Sequence, residues 1–269
     1  MTIPQVLGII AGNGVYPKLL ADSARNAGVK KIVAAAFTSE TDPALGQHVD
    51  LLEWMRVGQL NRLLKFFREQ NVHQAIMAGQ IAPKNLFDLR PDWKALLLLG
   101  KLKQRNAESI FAAIADELAK VDVELLPAST FLEDSLAPSG LIAGAKLSGQ
   151  EEENVDQGWK IAKEIARLDI GQTVIVKDGT ILAVEAFEGT NETIKRGGAL
   201  AGAGAVMVKV AKPNQDMRFD VPVIGVETLC VAAEAGLRVI AVEAGKTLLL
   251  DHDAIVDVAN RAKISIFAR

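Results

Sequence analysis

The chain is 269 residues long, 49% hydrophobic and 23% charged, with a formal net charge of -3 and one cysteine. So much apolar side chain excludes a disordered polymer, and the length admits one large domain or, as expected here, two of ordinary size. The charge balance gives no general attraction to nucleic acid, and Cys230 alone can form neither an internal disulfide nor a thiolate metal cluster, so a reducing, cytoplasmic setting is expected.

The N-terminal stretch MTIPQVLGIIAGNG has no basic residue before its apolar run and leads into turn glycines, unlike a signal peptide. VLGIIAG (6–12) reads as a parallel strand buried on both faces. Pro17 opens a helix carrying Leu19, Leu20, Ala24 and Ala27, and Gly28 stops it. The unit repeats: KIVAAAF (31–37) is a strand, GQLNRLLKFFREQ (58–70) a helix, and QAIMAG (74–79) a strand ending in glycine. Right-handed crossovers imply a small parallel sheet with helices on both faces, whose ligand crevice is expected at the loops after Ala11 and Ala78. QIAPKNLFDLRPD follows, then a helical region from about Trp93 to Lys120.

Between Phe131 and Glu153 a proline, three glycines and the charge run EEE suggest a boundary, giving domains 1–132 and 133–269. The second domain is expected to be mixed α/β. NVDQGWKIAKEIARL is an amphipathic helix, and TVIVKDGTILAVEAF a hairpin about Asp178-Gly179. TNETIKRGGAL reads as helix, AVMVKVA and VPVIGV as strands, and ETLCVAAEAG as helix. RVIAVEAG and TLLL read as strands, DAIVDVANRA as the last helix, and ISIFA as the last strand.

Several constellations carry polar chemistry, each beside a plainer reading. In AGNGVYP, Gly12 and Gly14 would let the backbone approach a phosphate, or simply make a tight turn; Pro17 stands where a dinucleotide fingerprint needs its third glycine. Gly79, Gln80, Lys84, Asp88 and Arg90 form a loop long enough to bind phosphate or sugar, or only to be solvated. Trp93 and Leu96 to Leu99, interleaved with Lys94, Lys101, Lys103 and Arg105, would rest on an anionic membrane, take in an acyl chain, or be ordinary core helix.

Glu185, Glu188, Thr190, Asn191 and Glu192 surround a strand-to-helix junction where Thr190 or Asn191 makes an N-cap and the surplus acids suit Mg²⁺. In KPNQDMRFDVPVIG, Asp216 and Asp220 would lie about 13 Å apart if extended but roughly 5–6 Å apart at Cβ in a helical turn. With Lys212 and Arg218 beside them they suit metal-assisted phosphoryl chemistry; the rival is a surface turn with internal ion pairs. The three histidines have no zinc spacing, Asp251 or Asp253 is expected to cap the helix at His252, and Cys230 is expected in the core. No serine sits in a nucleophile elbow.

IIAGNGVYPKLL, WMRVGQLNRLLKFF, AIMAGQIAPKNLFDLRPD, FEGTNETIKRGG, KPNQDMRFDVPVIGVETL and VEAGKTLLLD together resemble the LpxI family, the UDP-2,3-diacylglucosamine pyrophosphatases of lipid A biosynthesis. The resemblance implies a Rossmann-like N-terminal domain, a C-terminal catalytic α/β domain, and Mg²⁺ (Mn²⁺ in its place) with water. Its products would be UMP and 2,3-diacylglucosamine 1-phosphate, lipid X. By this resemblance Asp220, directly before VPVIG, is the carboxylate closest to catalysis, with Asp216 second; Glu185, from the acids at the strand-to-helix junction, is a further expected metal ligand. Lys212 and Arg218 would offset diphosphate charge, while Gly12, Asn13, Gly14, Gly79, Gln80, Lys84, Thr190 and Asn191 would contact substrate. Asn191 departs from the family's EGTD, which removes a charge there. A diacylated substrate implies an apolar channel and peripheral attachment at the inner face of the inner membrane; a homodimer is allowed. A non-catalytic nucleotide-sugar or lipid carrier is the alternative.

Overall fold

The computed structural model describes residues 3–81, 91–102, 107–213 and 215–269, apart from the side chains of residues 107 and 108. They divide into two compact units, residues 1–133 with 216–220, and residues 134–215 with 221–269. The fold is mixed α/β, with a parallel five-stranded sheet in the first unit and a mixed six-stranded sheet in the second.

VLGI and its neighbours present apolar surface to both faces, so β1 (Val6–Ala11) is the middle strand of the first sheet. β2 (Lys31–Phe37) and β3 (Leu51–Met55) extend it on one side, while β4 (Gln74–Ala78) and β5 (Glu124–Leu125) extend it on the other, all parallel. The chain therefore winds outward, returns, and winds outward the other way. The switch falls between β1 and β4. α1 (Tyr16–Asn26) carries Pro17 in its first turn, and α2 (Leu60–Glu69) drives Leu60, Leu63, Leu64, Phe66 and Phe67 into the core at helical spacing. The helical region from Trp93 is two helices, α3 (Trp93–Lys101) and α4 (Ala107–Ala119). β3 escapes the sequence pattern because it is an edge strand: Leu51 and Trp54 are exposed, so apolar residues do not mark a single buried face.

In the second unit α5 (Gly149–Arg167) begins five residues before the expected NVDQGW start. Glu151 of the EEE run completes a capping box with Ser148, so those acids are the helix's first turn, where free N–H groups and the helix dipole favour negative charge. β7 (Thr173–Lys177) and β8 (Thr180–Val184) form the hairpin, with Asp178 at φ 46° and Gly179 at φ 72° as a two-residue turn of this hand requires. Then come α6 (Thr190–Ala201), β9 (Ala205–Lys209), β10 (Val223–Ile224), α7 (Val226–Glu234), β11 (Leu237–Val242), β12 (Leu248–Leu249), α8 (His252–Ala262) and β13 (Ser265–Ala268).

An antiparallel strand, β6 (Gly140–Ala143), closes one edge, giving the order β6-β13-β11-β9-β7-β8. The expected strand at VPVIGV shrinks to Val223–Ile224, paired with β12, because Pro222 has no N–H to give a ladder. Among the described residues no helix is long and apolar enough to cross a membrane.

Candidate active site

At the switch point the two expected loops close on each other. Gly12 N–H donates to Ala78 O and Asn13 N–H to Gln80 O, each at 2.8 Å. A Cβ at Gly12 would stand 2.7 Å from Gln80 O, and one at Gly79, whose φ is 88°, 2.5 Å from Asn13 O. Glycine is thus required for loop-to-loop approach, and the N–H groups of Gly12 and Asn13 are used within it. Gly14 is different: it is exposed at φ 89°, with open space where a Cβ would stand. Gln80 is exposed, and Lys84, Asp88 and Arg90 lie outside the described residues.

The opposing wall comes from far along the chain. Residues 216–220 belong to the first unit, although the residues on either side belong to the second. They form one turn of helix, in which Asp216 O accepts from Phe219 N at 3.2 Å and Asp220 N at 3.0 Å. The helical alternative for the two aspartates is the one realised. Asp216 accepts from Arg218 through both carboxylate oxygens, Nη2 to Oδ2 at 2.6 Å and Nε to Oδ1 at 2.9 Å. That guanidinium holds Asp216 below the usual carboxylate range. Asp216 therefore stiffens the turn and aims Arg218, while Asp220, half-buried, follows Phe219 at its end.

What holds this turn was not visible in the sequence. Ala128 N–H donates to Met217 O at 2.7 Å, and Ala128 O in turn accepts from the Tyr16 hydroxyl. Burial raises the Tyr16 phenol well above its ordinary value, so it stays a neutral donor. Phe219 packs on Phe111 of α4, ring centroids 5.7 Å apart.

Beside Phe219 lies an open apolar cavity of about 120 Å³. Gly12 and Gly79 line it at the strand ends, with Leu63 from α2, Leu98 from α3, Phe111 from α4, and Phe219. Of the stretch expected to line a channel, Leu98 and Leu99 do so, while Trp93, Leu96 and Leu97 face solvent.

The second unit has a polar strand-end edge instead. Glu185 and Lys209, both buried, follow β8 and end β9. Lys209 Nζ donates to Thr190 Oγ1 at 2.6 Å, and Thr190 donates to Glu185 Oε1 at 2.8 Å. Burial works to raise Glu185, but Lys209, Thr190 and the Gln172 N–H outweigh it and hold the carboxyl below its ordinary value. Glu185, expected as a metal ligand, is thus engaged by a cation and two donors. Thr190 is not the helix N-cap either: Gly189 holds that position, and the Thr190 hydroxyl serves Glu185. Asn191 donates to Glu227 at 3.0 Å, and Lys212 pairs with Asp169 at 2.5 Å.

Glu243 forms a second such cluster, with Lys163 at 2.5 Å, Lys246 at 2.8 Å and the Ala211 N–H. Burial opposes ionisation there too, and those donors again win and lower it. Asp251 caps α8 as expected, but Cys230 is exposed rather than in the core. Among the described residues no three His, Cys, Asp or Glu side chains gather as a metal site.

A family model described as the LpxI N-terminal domain matches residues 6–135, and one described as the LpxI C-terminal domain matches residues 138–267. The chain belongs to the LpxI family. A family relative from Caulobacter vibrioides, named UDP-2,3-diacylglucosamine pyrophosphatase LpxI, is 31% identical over 265 residues, 94% of either chain. Among solved structures, the biotin carboxylase domain of Hydrogenobacter thermophilus 2-oxoglutarate carboxylase is 11% identical over 70% of this LpxI-family chain and 39% of that one, at a TM-score of 0.28. The biotin carboxylase subunit of pyruvate carboxylase is 13% identical over 68% and 38%, at 0.26. Likeness that low has no bearing on function.

Proposed function

We propose that the chain hydrolyses the diphosphate of UDP-2,3-diacylglucosamine to UMP and lipid X, in lipid A biosynthesis. The observation that carries this reading is the end-to-end likeness to the Caulobacter relative of that name, at 94% of both chains. The first unit supports it: a cavity lined by apolar side chains at the strand ends suits acyl carbon better than a diphosphate. A dry cavity near 150 Å³ accepts benzene, so this one would seat on the order of five carbons of one acyl chain.

In this reading Asp220 is the catalytic carboxylate. It orients the attacking water and takes its proton; the water oxygen bonds to one phosphorus as the bond from that phosphorus to the bridging oxygen breaks, and the leaving phosphate keeps the electron pair. Arg218, held by Asp216, faces the phosphate charge from the same turn. Magnesium, or manganese in its place, would be held by Asp220 and the substrate's own phosphate oxygens, and when bound supplies charge neutralisation and a more acidic water. The donor set fits, since magnesium needs only one or two protein carboxylates when phosphates and waters complete its shell. Attachment at the cytoplasmic face of the inner membrane follows from the substrate's two acyl chains.

The test is incubation of purified protein with UDP-2,3-diacylglucosamine and Mg²⁺, with UMP detected. Release of UMP that stops on chelation supports the reading. Binding without UMP release makes the chain a carrier and ends it. Isotopically heavy water then shows, by the product that gains the label, which phosphorus is attacked.

A further inference from the structure

Helix α3 has two apolar faces, and among the described residues only one of them is covered. Ala95, Leu98 and Leu99, spaced i, i+3, i+4, line the cavity. Trp93, Leu96 and Leu97 repeat that spacing on the other side and are 64%, 57% and 56% exposed. A nine-residue helix leaving three large apolar side chains in water is unfavourable unless something covers them.

The helix is not a loose flap. Asp92 caps it at Ala95 N (2.9 Å) and also accepts from Asn61 N at the start of α2 (2.7 Å), while Lys94 pairs with Glu117 of α4 at 3.3 Å. Its exposed face is therefore held in place. The surrounding sequence is one-sided in charge: residues 93–107, WKALLLLGKLKQRNA, carry Lys94, Lys101, Lys103 and Arg105 and no acid. Of the acids at this helix, Asp92 is spent on the backbone N–H groups of Ala95 and Asn61, and Glu117 on Lys94. A tryptophan and leucines in a stretch whose own charges are all basic then match an anionic lipid surface: apolar side chains enter the acyl boundary, the indole sits at headgroup level, and the remaining cations meet phosphates.

We propose that α3 docks the chain on an anionic phospholipid bilayer through Trp93, Leu96 and Leu97. Its opposite face, Leu98 and Leu99, then leads an acyl chain from that bilayer into the cavity. The docking step stands on the exposed face and the charge pattern alone; the entry step rests on the diacylated substrate proposed above.

The experiment uses the full chain and the triple variant Trp93→Gln, Leu96→Gln, Leu97→Gln, which changes only exposed side chains. Co-sedimentation with phosphatidylethanolamine–phosphatidylglycerol vesicles should capture the parent, fall on added salt, and drop at least tenfold in the variant. Melting temperature should stay the same. Turnover of substrate in detergent micelles should be equal for the two chains, while turnover of substrate embedded in vesicles should fall in the variant. If neither chain releases UMP, the sedimentation arm still decides docking. Equal capture of parent and variant would overturn the proposal. So would a parent that ignores vesicles but self-associates, with the variant monomeric, since a second copy would then cover the face.

Discussion

The two units end their strands in opposite ways. In the first, β1 and β4 run out into glycines that pack on each other beside an apolar cavity, and the charged groups sit on an inserted turn, residues 216–220. In the second, β8 and β9 run out into a buried glutamate and a buried lysine bridged by a threonine, and β11 into Glu243 with two lysines. The same strand-end position can thus be built for hydrocarbon or for charge. What differs is whether side chains after the last strand residue are deleted to glycine or kept as paired ions. Deletion lets backbone close over apolar surface, while paired ions keep a polar edge dry without leaving a charge unmatched.

The largest effect expected from this comparison concerns the inserted turn. Asp220→Ala should lower turnover of UDP-2,3-diacylglucosamine by roughly 10²- to 10⁴-fold while substrate still binds, as judged by steady-state rates against equilibrium binding. Near-normal turnover would remove Asp220 from the chemistry. Next comes the buried pair: Lys209→Met leaves Glu185 without its cation and should cost about 3–5 kcal/mol in denaturant unfolding, with Glu185→Leu in the same chain restoring much of the loss. A cost below about 1 kcal/mol would mean that water reaches the pair.

Acid should loosen the second unit. Glu185 and Glu243 both have folded-state values below the ordinary 4.5, so their stabilising contribution is complete above that pH and disappears as pH falls through the lowered folded values. Fluorescence of Trp159 on α5, in a chain with Trp54 and Trp93 replaced by Phe, should therefore report loosening of the second unit below about pH 4.5. A second unit unchanged far below that pH would contradict the ionised pairing.

Leu98→Trp, which narrows the cavity, should raise KM about tenfold for long-chain substrate and leave short-chain analogues alone, a discrimination of the size expected for a few methylenes. Equal effects on both would place the acyl chain elsewhere. The smallest effect is reserved for Asp216→Asn. The Arg218 pair is partly solvated, so the expected stability loss is under about 1 kcal/mol and the rate falls only a few-fold. Loss as large as at Asp220 would make Asp216 a direct participant.

Much of the fold was legible from apolar runs and turn residues. KIVAAAF, the Asp178-Gly179 hairpin and the helix with Pro17 in its first turn all stand where periodicity and backbone preference put them: a strand buried on both faces admits almost only apolar residues, and proline and glycine mark the first helical turn and the tight turn. β3 was hidden because an edge strand keeps one face wet, and the EEE run misled because acids at a helix start look like a solvated linker. The site was legible in part: the aspartate turn was among the readings considered, but not the fork that ties Asp216 to Arg218, nor the Lys209–Thr190–Glu185 chain, whose members are distant in sequence.

By itself, the sequence determined which strands are buried on both faces, where the Asp178-Gly179 hairpin turns, and which acids could share a turn, since those depend on neighbours within a few residues. Only the tertiary structure decided that residues 216–220 join the first unit and wall a cavity with Phe111, that Gly12 and Gly79 serve each other, and that Glu185 answers to Lys209. Each of these links groups far apart along the chain, so desolvation and close packing can select them only once the chain has folded back on itself.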